Sequence, residues 1–201
     1  MVDRIVKLFS KPAEYWEEMV AESGEIKHLL VPGILILAAI PTAASLVGGL
    51  LGWALPLLKL GIFGRAAGAL VFTLVVQYAL SICTWLALGY IIDLFANTFG
   101  AQRDLGQSMK LATGTMTPIW LGQALAITTI PALGMVGGLA GLGFGCYLLY
   151  KGLPLMNGTP EEKAVGYVAA SMGCLVGVMI VVSILTCIPM SCCVAGAFIA
   201  G

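Results

Sequence analysis

A single histidine, His28, among 201 residues narrows the chemistry this chain can perform. General acid–base and nucleophilic catalysis most often recruit an imidazole beside a second positioned group. Here no H-E-x-x-H, P-loop or G-x-S-x-G pattern accompanies it. Two groupings have ligand chemistry by residue type. His28 with Glu22 and Glu25 offers hard donors, and Cys187, Met190, Cys192 and Cys193 offer soft donors suited to copper(I). Neither has a diagnostic spacing, and the simpler readings are an interfacial histidine and cysteines that pack. The expectation is therefore no catalytic residue, no metal and no cofactor.

The other residues that stand out do so by their places on helices. Gly134 and Gly138, Gly137 and Gly141, and Gly141 and Gly145 are each four apart. Such a stripe lets a neighbouring backbone come close, within one bundle or between subunits. At about 100° per residue, Thr73, Gln77, Ser81 and Thr84 fall within an arc of about 80°. Together with Thr113 and Thr117 they form either a polar lining for water, an ion or a small solute, or a set of interhelical hydrogen bonds worth about 0.6 kcal/mol each. Asp93 is a lone carboxylate inside an apolar run, where mid-span burial costs about 2.5–3.5 kcal/mol. Its place near the end of that run, across the helix from the polar stripe, predicts an interfacial anchor paired with Arg103 or Lys110.

Composition says what these elements are immersed in. Hydrophobic residues make up 60% and charged residues 10% of the chain, against about 45–50% and 25% in soluble domains. The mean hydropathy is +1.01. The charges fall in short blocks separated by uncharged runs long enough to cross a bilayer, so lipid is the expected solvent and partner. A formal net charge of zero leaves no basic stripe for phosphates, which argues against nucleic acid. Cys83, Cys146 and Cys174 lie within apolar runs, where a thiol packs as a small hydrophobe. The first strongly apolar run follows an acidic block, unlike a cleaved secretion signal.

A hydrocarbon core about 30 Å thick takes roughly 17–25 helical residues. Five runs fit: about 29–52, 66–95, 111–130, 133–150 and 164–190. They predict an all-α integral membrane bundle, with residues 1–28 as a cytosolic or interfacial segment and 29–201 as the five-helix domain. Twelve Leu, Ile or Val residues favour insertion of the first run by roughly −5 kcal/mol before Gly and Pro penalties. The third run carries five threonines, Gln123 and Pro118, and the fourth six glycines. These two are expected to be shielded inside the bundle, joined by a tight turn at Pro131-Ala132. Eight basic residues lie in loops on the N-terminal side and only Lys59 and Arg65 on the other. The positive-inside rule then puts the N-terminus in the cytosol and the C-terminus outside.

Ahead of the first span, two short amphipathic helices are expected. Ile5, Val6, Leu8 and Phe9 cluster on one, and Tyr15, Trp16, Met19 and Val20 repeat on the other, which Ser10 caps and Pro12 starts. Lying flat on the membrane, the second helix would keep Glu14, Glu17, Glu18 and Glu22 wet and hold Trp16 as an anchor at headgroup level. The stretch 53–65 is expected to rest in the opposite interface. The apolar tail 191–201 is too short to span and is expected to extend helix five or contact another subunit.

Several short motifs join this pattern: Lys11-Pro12 with Trp16, Ala38-Ala39-Ile40-Pro41, Thr117-Pro118, Tyr147-Leu148-Leu149-Tyr150-Lys151-Gly152-Leu153, and Lys163-Ala164. Over nearly the whole chain they resemble the Yip-domain family of five-span membrane proteins, named for interaction with Ypt/Rab GTPases. The compact form is similar to the bacterial inner-membrane branch of that family. The resemblance implies a noncatalytic membrane organiser or scaffold working by helix–helix association, expected as a homo-oligomer. A small channel or transporter lined by helices two and three is the alternative. GTPase binding is not carried over, because only 28 residues precede the first span, whereas eukaryotic members of the family place GTPase-contacting determinants in a longer N-terminal region.

Overall fold

In a computed structural model, residues 2–21, 26–59, 63–128 and 130–199 are described, with side chains described at 3–21, 33–52, 71–128, 130 and 132–181. Over these residues the chain is an all-α membrane bundle. Its helices are α1 (Val2–Ser10), α2 (Pro12–Ala21), α3 (Ile26–Lys59), α4 (Phe63–Ala96), α5 (Leu105–Gln123), α6 (Pro131–Asn157) and α7 (Glu161–Ile199), with 3-10 turns at Asn97–Phe99 and Ala124–Ile127. Four of them contain stretches long and apolar enough to cross a membrane: Gly33–Gly52, Val71–Phe99, Ala132–Asn157 and Glu161–Val181.

The run expected at 111–130 is α5 together with the 3-10 turn that follows it. Its start lies earlier than the apolar pattern suggests because Asp104 caps it, the side-chain carboxylate accepting from the Gln107 amide at 3.1 Å. Residues 108–118 and Trp120 are all buried, so this least apolar of the long helices sits inside the others. Enclosure suits its sequence: in lipid each polar group needs a protein partner, and Thr113, Thr115 and Thr117 donate to the carbonyls of Met109, Leu111 and Thr113. α6 is shielded on one face only and exposes Met135, Val136 and Leu139 on the other.

Two loop expectations need correction. Pro131 and Ala132 do not form the turn between α5 and α6. They open α6, where proline's fixed φ and missing N–H suit the first turn, and Ile130 before them is extended. Ser10 does not cap α2; its hydroxyl donates back to the Val6 carbonyl at 2.7 Å.

The largest correction concerns α2, whose Glu14, Glu17 and Glu18 face outward as expected. Its opposite face does not meet headgroups. Trp16 is fully buried, with Tyr15 and Met19 beside it, in one continuous core with α3–α7. An amphipathic pattern specifies that one face leaves water and is silent on whether protein or lipid receives it. Here the bundle receives it, so Trp16 is a core residue and not an interfacial anchor.

Candidate functional site

The glycine stripe of α6 lies directly against α5 and the 3-10 turn after it. A Cβ placed on Gly137 would stand 2.2 Å from the Gly122 carbonyl oxygen, and one on Gly122 would stand 2.0 Å from that of Gly137. One on Gly141 would meet the Pro118 oxygen at 2.3 Å, one on Gly145 the Thr115 oxygen at 2.7 Å, and one on Gly134 the Ala126 Cα at 3.2 Å. Gly138 looks toward Gln123, whose Cγ would be 3.4 Å away. The stripe's close backbone approaches are thus made within one chain.

A second pair of glycines forms a slot. The Trp16 indole lies where a Cβ on Gly114 of α5 would be 2.4 Å from its Cη2, and where one on Gly152 of α6 would be 2.8 Å from its Cε2. Lys110 on α5 is buried, and its Nζ donates to the Met19 carbonyl at 2.8 Å, near the end of α2. Phe9 of α1 stacks on Phe144 of α6, ring centroids 5.0 Å apart. α1 and α2 are joined by Lys7–Glu18 at 2.5 Å, while Lys11 pairs with Glu14 at 2.6 Å. The hydrogen bond and charge of Glu18 hold the Lys7 ammonium above its ordinary range.

Between these two helices and the bundle lies a cavity of about 80 Å³. Ile5, Leu8, Tyr15, Met19 and exposed Arg4 line it from α1 and α2, Gly33, Ile34 and Leu37 from α3, and Thr113 and Thr117 from α5. Thr113 and Thr117 already donate to helix carbonyls, and Thr113 also accepts from the Trp85 indole at 3.1 Å.

The other four members of the polar set do not line this cavity. Gln77 donates to the Ser45 hydroxyl at 3.3 Å, tying α4 to α3. Ser81 and Thr84 donate to the carbonyls of Gln77 and Leu80 on their own helix, and Thr73 is half-buried. Asp93 pairs with Arg103, one carboxylate oxygen accepting from both Nη2 at 2.6 Å and Nε at 3.1 Å. Lys110, the alternative partner expected for it, instead reaches α2.

The candidate donors Glu22 and Glu25 lie outside the described residues, as do the side chains of His28, Cys187, Met190, Cys192 and Cys193 and of residues 53–65. Among the described residues no group of three or more His, Cys, Asp or Glu is placed to hold a metal ion.

Gly114, Gly152 and Lys110 belong to the docking site of α2, a role the sequence pattern did not reveal: Gly152 stood only within a motif and Lys110 only as a loop charge and a possible partner of Asp93. The outward face of α7 was not read from the sequence either. There Gly166, Ala170, Gly173 and Gly177 fall within an arc of about 60° at about 100° per residue. Among the described residues, a Cβ on Gly173 or Gly177 would have nothing within 4 Å, and one on Gly166 only a Phe99 ring carbon at 3.3 Å. The 4-3-4 spacing was the available signal.

The pattern of the Yip1 domain matches residues 6–184 of the chain. The inner membrane protein YohC of Escherichia coli strain K12 is 26% identical over 177 residues, covering 86% of this chain and 87% of the relative. The inner membrane protein YohC of Escherichia coli O6:H1 is similar to the same extent, 26% over 177 residues. No solved structure matches the chain.

Proposed function

The chain belongs to the Yip1 domain family, and from that premise we propose that it is a noncatalytic organiser of the membrane, acting by lateral association with further copies of itself through the outward face of α7. Its proposed bilayer is the bacterial inner membrane, as for the YohC relatives, and the bias of basic residues toward one set of loops supports a cytosolic N-terminus. Neither nucleic acid nor a GTPase is a partner in this reading.

The observation that carries the proposal is the contrast between two glycine stripes. Lipid tails are as apolar as leucine, so helices in a membrane associate where small residues let backbones approach and pack, not where greasy side chains project. The α6 stripe has its close approaches to α5, while Gly173 and Gly177 leave open space. Around that open face the exposed Val165, Val176 and Ile180 stand ready to interdigitate with a neighbour.

Crosslinking in native membranes tests the reading. The wild-type chain is expected to give a discrete band at twice the monomer mass or above, and Gly173→Leu with Gly177→Leu to remove it. A monomer alone in the wild type, or a ladder unchanged by both substitutions, would defeat the proposal. The channel or transporter alternative draws its support from Thr113 and Thr117 in the cavity wall. It expects a solute leak in proteoliposomes that Thr117→Val abolishes.

A further inference from the structure

We infer that α1 and α2 form a strap that leaves and rejoins the bundle as one unit, with the Trp16 side chain as its latch. The inference starts from how unevenly the strap is held. Its two helices are bound to each other by ionic and backbone contacts: Lys7 pairs with Glu18, the Lys11 amide donates to the Lys7 carbonyl and the Tyr15 amide to the Lys11 carbonyl. Both lysine–glutamate pairs of the strap are exposed, so they persist whether or not the bundle is near.

Against the bundle the contact is mostly apolar, with one polar tie, the Lys110 Nζ donating to the Met19 carbonyl at 2.8 Å. The indole fills a slot floored by Gly114 and Gly152, and Phe9 stacks on Phe144. Docking leaves one defect. The Trp16 indole N–H is buried with no hydrogen-bond partner among the described residues, while the cleft of about 80 Å³ beneath the strap is open to its surroundings. A buried donor without an acceptor loses its hydration and receives nothing in return. Release from the slot cures this, at the cost of exposing the indole's apolar face and giving up the Lys110–Met19 hydrogen bond. An element whose internal pairs do not depend on the bundle and whose defect lies at its attachment separates at the attachment.

The cleft offers a ligand little polar recognition, because the Thr113 and Thr117 hydroxyl protons are already committed to helix carbonyls. When the strap is out, the Gly114–Gly152 slot and the threonine wall face the membrane surface.

Two measurements test the strap. In lipid nanodiscs, hydrogen exchange of the unmodified chain is expected to show the amides of α2 exchanging together and at least tenfold faster than those of α5. Exchange of α2 only in step with α5 would overturn the inference. In a background with the native cysteines replaced, Thr117→Cys is expected to react slowly with a membrane-impermeant maleimide, and at least tenfold faster once Gly114→Ala blocks the slot. Equal rates with and without Gly114→Ala would overturn it, and should Gly114→Ala fail to fold, the exchange measurement on the unmodified chain decides alone.

Discussion

Alanine at Gly137 and alanine at Gly177 are the same chemical change on two helices of one bundle, and the structure predicts opposite outcomes. At position 137 the new methyl would sit 2.2 Å from the Gly122 carbonyl oxygen, 3.0 Å from its carbon and 2.8 Å from the Leu125 Cδ1. Leu125 can rotate aside, but the Gly122 backbone can move only with α5, so the two helices must part by about 1 Å to restore ordinary contact. A gap of that size forfeits a quarter to a half of each dispersion well it touches. Overpacking of a tight contact costs about 1–3 kcal/mol, more than the gain of up to about 1 kcal/mol that alanine brings over glycine in a helix. At position 177 no atom of the described residues lies within 4 Å of the new methyl, so only the helix-propensity gain remains. For chains of about 150–250 residues 1 kcal/mol moves the midpoint by about 2–4 °C. Thermal unfolding followed by tryptophan fluorescence in detergent is therefore expected to give a Tm several degrees lower for Gly137→Ala and equal or higher for Gly177→Ala. A silent Gly137→Ala would refute the assignment of the α6 stripe to packing within the chain.

The Asp93–Arg103 pair is asymmetric, the carboxylate side chain 11% exposed and the guanidinium 51%. Arg103→Ala, which strands the buried partner, is expected to destabilise by about 1–3 kcal/mol. Asp93→Asn leaves an arginine that water can reach and is expected to cost less; denaturation midpoints of the two variants in the reverse order would contradict the geometry. Gln77→Leu removes one interhelical hydrogen bond, to Ser45, and is expected to cost about 0.6 kcal/mol. A fall in Tm of ten degrees or more would mean that the α4 stripe carries the bundle.

How much of this was legible in the sequence depends on what decides each feature. Apolar run length located the long helices, and the spacing of Gly134, Gly137, Gly141 and Gly145 located a small-residue face on α6. The carboxylate of Asp93 needed a cation within reach, and Arg103, ten residues on, was one of two near enough in the chain. The remainder depends on burial, which periodicity does not encode. α2 has the pattern of a membrane-surface helix, and only Gly114 and Gly152, 38 residues apart and in no repeat, make a place for Trp16 inside the bundle. Lys110 counted as a loop charge in the topology argument, yet its long apolar stem lets it sit buried with its Nζ on a helix-end carbonyl. Two glycine stripes were present from the start; which one had room for a neighbour required knowing where α5 lies.

The proposal of lateral association is tested most directly by counting copies. Fluorescently tagged chains in native-lipid nanodiscs, each particle bleached to completion, are expected to lose their signal in two or more steps, and in one step when Gly173 and Gly177 are both leucine. Single-step bleaching of the wild-type chain would contradict the account.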